Sequence, residues 1–336
     1  TRLYPRCRRK HGRSVSLPTP SVPCDGYGAS AWGVKYETSI AYIFMTPELE
    51  HIIENIISLT KLLQFSWSTV LIYFGIFLAA AFVEFLFEGA ERSSIRNIMK
   101  MKRTTANDWW CWLLSLFGIF DFLSFMFSFG LFYWISALMY QYIGKHEVLD
   151  FIQPDAIKFG LVFLLSDLKH FVWHRVMHSK LLWPLHQYHH SATEFNLITG
   201  ARGHFLEKGV LILFDSMFFL MVGLPPHYFI YLAFIREFHN MLIHSNIRSD
   251  FGWLGKYVLI SPNAHRLHHS IDPGDYNRNY GTFFVWWDYL SRTFSHPVKP
   301  IAIGITADHI NDRGFFKGQF TETLDFIRKA LFRANR

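Results

Sequence analysis

IKFGLVFLLSDLKHFVWHRVMH, residues 157–178, is the stretch whose reading decides the fold. Its first half is apolar on every side, the pattern of a helix buried in a protein or in lipid. At 1.5 Å per residue the whole stretch is about 33 Å long, enough to cross a bilayer core of roughly 30 Å. Its second half changes character. Asp167, His170, His174 and His178 enter, and the three histidines are four residues apart, so they share one helix face. The reading is a membrane helix that ends in imidazoles.

Working outward, the neighbouring segments repeat both themes. Residues 65–87, with TVLIYFGIFLAAAFV at their heart, read as a first span with Glu84 and Glu88 near its end. Residues 208–222 and 227–243 are apolar runs separated by Leu224-Pro225-Pro226, a helix break, and read as a hairpin. Residues 109–143 stay apolar for about 52 Å of helix. That is too long for one crossing, so they predict two short spans or one span plus an interfacial segment. Residues 91–103 carry five basic residues against the single acid Glu91, which predicts the cytoplasmic side. One net crossing in 109–143 and a hairpin at 208–243 then place all histidine-rich segments on that same face.

The fold class expected is therefore all-α: a polytopic membrane protein of about four to five transmembrane helices with a cytoplasmic, histidine-rich helical cap. Residues 1–46 read as a basic, disordered tail, 47–64 as an amphipathic lead-in helix, 65–295 as the catalytic domain and 296–336 as a C-terminal cytoplasmic tail.

Composition agrees. Half of the chain (51%) is hydrophobic, and the net charge of +7 is concentrated at the N-terminus. Arg2, Arg6, Arg8, Arg9, Lys10 and Arg13 precede the first acid, Asp25. No basic patch interleaved with aromatics and no nucleic-acid motif is present, so nucleic acid is excluded as a partner. Cys7, Cys24 and Cys111 form neither a CxxC nor an even framework, which speaks against disulfides and thiolate metal sites.

Thirteen of the eighteen histidines fall between 170 and 269. His186, His189 and His190 read HxxHH, and His265, His268 and His269 read HxxHH again. His239 and His244 sit at the end of the hairpin's return helix. Offsets of three and four stack imidazoles one turn apart, where two can bind one metal. Imidazole suits iron, zinc, copper and nickel. Eight or more such ligands are too many for one ion and imply two. Soluble two-iron bundles use carboxylates with ExxH motifs, which are absent from the histidine-rich stretch 170–269.

DLKHFVWHRVMH, LWPLHQYHHS, ARGHFLE, HSN and SPNAHRLHHS, followed by NYG and WD, resemble the fatty acid hydroxylase/sterol desaturase superfamily over roughly residues 66–295. The resemblance implies a membrane-bound helical enzyme that uses two histidine-bound irons and O2 to hydroxylate or desaturate a lipid of the sterol or fatty acyl class. Zinc is a possible substitute for iron. The family's HRxxH falls on His174 and His178, its HxxHH on His186, His189 and His190, the histidine of its HSN on His244, and its last HxxHH on His265, His268 and His269. His170 and His204 match further family histidines. Where some members carry a histidine four before His244, this chain has Asn240, with His239 beside it. The family's closing WDxLFGT is here WDYLSRT, with Ser291-Arg292 replacing Phe-Gly.

A ligating imidazole usually donates its other N–H to a carboxylate or carbonyl. Asp167, Glu207 and Asp288 lie near the boxes and are the candidates behind the ligands; Asp272 reads as a cap, and Arg175 and Arg202 as ion-pair partners or headgroup contacts. No GxGxxG after a strand, CxxCH, iron–sulfur cysteine set or HPGG is present. The resemblance therefore implies an external electron donor, cytochrome b5 or a ferredoxin with its reductase. It also implies an integral membrane location, the endoplasmic reticulum in a eukaryote or the inner membrane in a bacterium. The competing reading is a histidine-rich membrane metal transporter or metal-binding protein. Against it, the boxes sit at span ends rather than along span centres.

Overall fold

The computed structural model describes residues 67–332, apart from breaks within 128–150 and at 223–225, 297–300 and 307–308. The expected lead-in helix at 47–64 and the basic tail at 1–46 lie outside the described residues. All described residues fall in one compact unit, Ile56–Arg336.

The described elements are helices, with no strand among them. In chain order they are α1 (Trp67–Glu88), α2 (Ser94–Met99), α3 (Arg103–Leu116), α4 (Ile119–Phe127), α5 (Asp155–Met177), α6 (Trp183–His190), α7 (Phe205–Val222), α8 (Pro226–Ile243), α9 (Gly252–Tyr257), α10 (Pro262–His268), α11 (Trp286–Ser291), α12 (Ile310–Arg313) and α13 (Phe315–Phe332).

Among the described residues, Val70–Glu88 of α1 is the one helix long and apolar enough to cross a membrane. Small residues make one face of it fit the fold. Ala80 and Ala81 are buried against Leu197, Met241, Leu242 and Ile247, so α1 lies close to α8. The other face leaves Leu71, Phe74, Leu78, Phe82 and Phe85 exposed. Its two acids act on the loop after α8. The Glu84 carboxylate accepts the N–H of Ser94 (2.7 Å) and of Asn246 (2.7 Å), and Glu88 accepts the N–H of Arg248 (2.8 Å).

The long apolar run at 109–143 is broken early. Gly118 takes a left-handed φ of 69° between α3 and α4. The first turns of α3 bury Thr104, Thr105, Asn107 and Asp108, which belong to a polar core rather than a lipid face. The expected hairpin appears as α7 and α8, with its Leu224-Pro225 turn outside the described residues and Pro226 as the first residue of α8. Proline is tolerated there because the first helical N–H groups have no partner to lose.

Residues 310–332, read from sequence as part of a tail, form α12 and α13, and α13 packs on α6. Phe315 joins Cys111, Phe120 and Tyr188, while Phe326 packs on Trp173, Met177 and Leu185. The buried stripe of α13 also carries Gly318, Gln319, Glu322 and Thr323. A hydrophobic pattern does not reveal a stripe that is half polar.

Candidate metal centre

Four helix ends converge. Helix α5 closes on His174 and His178, the latter its C-cap. A short turn follows, and Pro184 sits in the first turn of α6, which carries His186, His189 and His190. His244 follows the last turn of α8. Ser261 caps α10 by accepting the N–H of Ala264 (3.1 Å), Pro262 takes its first position, and His265, His268 and His269 ride on that short helix.

The nine histidines meet in two groups. His174, His178, His186, His190 and His268 form one, and His189, His244, His265 and His269 the other. In each group the ring nitrogens lie within 4.8 Å of one another, close enough to hold a metal ion. The two HxxHH boxes are split in opposite ways. The i,i+4 pair His186/His190 serves the first group and His189 the second. The i,i+4 pair His265/His269 serves the second group and His268 the first. An α-helix turns about 100° per residue, so a residue three along points away from one four along; each box therefore feeds both groups.

Hydrogen bonds fix the tautomers. His174 Nδ1–H donates to Tyr280 O (2.7 Å), His268 Nδ1–H to Arg278 O (2.7 Å), His189 Nδ1–H to Arg202 O (2.9 Å) and His244 Nδ1–H to Asn240 O (2.9 Å). His186 Nδ1–H donates to the Glu207 carboxylate (2.7 Å). A neutral imidazole with Nδ1–H has a bare lone pair on Nε2. Yet Nε2 of His268 faces Nε2 of His174 at 2.9 Å, and Nε2 of His244 faces that of His189 at 3.3 Å. Neither member of either pair has a proton to give, so the facing lone pairs repel unless a cation lies between them. Burial, reinforced by neighbouring imidazoles, lowers His189 to about 4 and pushes His244 and His268 well below the ordinary histidine range. Protonation is thus not the remedy. His178 Nε2 and both ring nitrogens of His269 are buried without a hydrogen-bond partner. One such pair in each group, with these orphaned nitrogens, is the arrangement that metal ions satisfy.

The remaining sequence candidates fall elsewhere. His204 is tied at both nitrogens: Nε2–H donates to Gln319 O (2.7 Å), and Nδ1 accepts the N–H of Leu206 (3.2 Å). His239 Nδ1–H donates to Thr282 O (2.9 Å), and His239 belongs to neither group. His170 lines the cavity one turn before His174 and belongs to neither group. The Asn240 side chain packs on Gly200, where a Cβ would stand 2.5 Å from its Nδ2. Asn240 meets His244 through its backbone carbonyl.

Of the three acids, Glu207 bonds an imidazole directly. Asp288 acts one step removed: it accepts the N–H of Tyr280 (2.9 Å) and Gly281 (2.7 Å) and the hydroxyl of Thr293 (2.6 Å), fixing the turn whose Tyr280 carbonyl holds His174. Asp167 instead accepts the N–H of Phe284 (3.1 Å) and Trp287 Nε1–H (2.8 Å), because its turn of α5 faces the 280–287 loop rather than an imidazole.

Arg202 has a role that local sequence does not reveal. It is fully buried, pairs with Asp108 (3.0 Å) and donates to Tyr188 O, Ser191 Oγ, Thr104 O and Asn311 Oδ1. Its own carbonyl holds His189. The partner acid is 94 residues away, beyond any spacing argument.

A cavity of about 680 Å³ opens on this centre. His174, His186, His189, His244 and His265 form its floor, and Trp112, Leu116 and Phe120 line one wall.

Comparisons with known proteins agree with this geometry. Residues 159–293 match the fatty acid hydroxylase family, a span holding all nine clustered histidines. The chain is 31% identical over 156 residues to an ornithine lipid hydroxylase, OlsE, of Rhizobium tropici, covering 46% of this chain and 47% of that protein. It is 29% identical over 173 residues to an alkylglycerol monooxygenase of Danio rerio (51% of this chain, 38% of that protein) and 30% identical over 149 residues to the Homo sapiens one (43% and 32%). The matched stretch thus spans less than half the length of these relatives. No solved structure matches the chain. The match over residues 159–293 and these relatives support the fatty acid hydroxylase/sterol desaturase superfamily.

Proposed function

We propose that this chain is an O2-dependent lipid hydroxylase of the membrane with two histidine-bound irons. One observation carries the reading: two groups of imidazoles, each with facing bare lone pairs, form the floor of a cavity wide enough for part of a lipid. The relatives named for hydroxylation of ornithine lipid and oxygenation of alkylglycerol support hydroxylation over desaturation and a lipid as substrate. His174, His178, His186, His190 and His268 would hold one iron, and His189, His244, His265 and His269 the other, with zinc able to replace them. Bound there, the irons supply the O2 chemistry that an unactivated C–H bond needs and no side chain offers.

The chain's own groups then have defined tasks. The outer carbonyls of Tyr280, Arg278, Arg202 and Asn240 and the Glu207 carboxylate orient the rings. Phe195, packed on His244 and His269 with ring centroids 5.2 and 5.0 Å away, shields the second group from water. The balanced reaction puts one oxygen atom of O2 into a C–H bond and reduces the other to water with two electrons and two protons. The electrons come from a separate donor, cytochrome b5 or a ferredoxin with its reductase. In this reading α1, α5, α7 and α8 are the membrane helices, with a further crossing in 109–143, and the histidines face the cytoplasm.

The test is metal and product together. The purified chain, supplied with iron, donor and a membrane lipid extract, should bind about two irons and yield hydroxylated lipid. His189→Ala and His265→Ala, both in the group of four, should abolish product while still inserting into membranes. Metal transport across proteoliposomes without lipid oxidation would replace this reading by that of a transporter.

A further inference from the structure

The cavity above the histidines is not a plain apolar tunnel. Two helices bring polar stripes down to the centre. On α5, Ser166, His170 and His174 follow at steps of four. On α8, Glu237, Asn240 and His244 lie at helical steps along one face, and Arg236 stands beside Glu237. Arg236 Nη1 donates to Ser166 Oγ (2.9 Å), which joins the two stripes, and the Asn240 side chain hydrogen-bonds Glu237. Lys208 and Asp215 of α7 complete the polar side, Asp215 in an ion pair with Lys169. Both signs of charge are present and nearly balanced. At 1.5 Å per residue, Asn240 lies about 6 Å and Glu237 about 10 Å along α8 from His244. Trp112, Leu116 and Phe120 supply an apolar wall, which meets the polar side where Lys208 Nζ stands 5.8 Å over the Phe120 ring.

A hydrocarbon filling this space would strip water from Arg236 and Glu237 and return no hydrogen bond, which is unfavourable. An anionic phosphate would meet Glu237 and Asp215 as well as Arg236. A head that both donates and accepts, without net charge, suits the whole set.

On the hydroxylase reading above, we propose that Arg236, Glu237 and Asn240 form a headgroup subsite. It takes a lipid with an uncharged polyol or zwitterionic head, bound head-inward. The oxidised carbon then lies within about 10 Å of that head, and its position is counted from the head. The tail runs along the apolar wall.

Binding tests this without turnover. The probes are a long-chain monoalkyl glycerol ether and the n-alkane of the same chain length, added to the zinc-loaded full chain in nanodiscs. The wild type should bind the ether at least about tenfold tighter than the alkane. Arg236→Leu and Glu237→Leu should each weaken ether binding about tenfold and leave alkane binding within about twofold. Equal binding of the two probes by the wild type, or parallel losses for both, overturns the subsite. A second measurement needs no variant. With iron and donor, glycerol ethers of increasing chain length should be oxidised at a carbon fixed relative to the head. A position fixed relative to the methyl end overturns the proposal while leaving hydroxylation intact. Absence of any oxidised lipid, with the binding preference preserved, would instead remove the hydroxylase reading.

Discussion

The two imidazole groups differ in donors and in support. The first has five histidines and a carboxylate, Glu207, behind His186. The second has four, and its hydrogen bonds among the described residues run to backbone carbonyls, Arg202 O behind His189 and Asn240 O behind His244. The second group also gives three of its four rings, His189, His244 and His265, to the cavity floor, whereas the first gives two of five, His174 and His186. Fewer ligands and more contact with the cavity are what a metal needs to accept a small molecule in an open position. The five-donor group is closer to a closed, structural set. On the proposed function, the second group would then admit O2 and the first would anchor its metal.

Ligand removal breaks this comparison most sharply. His244→Ala leaves three nitrogens in the second group, while His190→Ala leaves four in the first, as many as the intact second group offers. His244→Ala should lose about one metal per chain and all measurable activity, whereas His190→Ala should keep most of both metals. Metal analysis of the two purified variants decides it; equal losses would end the distinction.

Next in size is the ion pair behind His189. Removing one partner of a buried pair typically costs about 3–5 kcal/mol. Asp108→Ala leaves Arg202 buried and charged without its counterion, and it also frees Asn196 Nδ2 and Thr199 Oγ1. A marked fall in thermal stability is expected, with metal loss confined to the second group. Retained stability would show that Arg202 is held well enough by its carbonyl partners alone.

Glu207 sharpens the comparison from the other side. Glu207→Ala takes the acceptor from His186 and should weaken metal binding about 10–100-fold, as loss of such outer partners generally does. Chelator competition should show the loss at one metal only. Glu207→Gln keeps an acceptor oxygen and should lose less; equal losses would mean that the charge, not the acceptor, is what counts.

Much of this centre was legible in the sequence, and the reasons are physical. Helical spacing and the two HxxHH boxes located the nine clustered histidines, and Pro226 and the apolar runs located α7 and α8. The partition into five and four was not legible, because it depends on how α6 and α10 face one another. The Arg202–Asp108 pair was hidden by its separation along the chain. The role of α13 was hidden because Gln319, Glu322 and Thr323 interrupt its buried face. His204, within ARGHFLE, matched a family histidine whose role the sequence left open between ligand and outer partner. What separates it from the nine is the second nitrogen: in His204 both are already satisfied by the protein, and none is left to face a metal.

That difference makes His204 a control with its own, smaller effect. Burial lowers its pKa from 6.5 to about 4, and the Gln319 carbonyl offsets this only in part. The folded protein thus refuses a proton that the unfolded chain accepts below pH 6.5. The stability held by neutral His204 is complete above that pH, declines as the pH falls, and levels off below about 4, once the folded form is protonated too. The first unit below 6.5 costs about 1 kcal/mol. His204→Gln removes the titrating group, so the variant's melting temperature should lie below the wild type's at about pH 7.5 and approach it at about pH 5.5. Metal content should be unchanged in the variant. A gap that widens with acid would contradict the burial argument, and loss of a metal would move His204 into the centre after all.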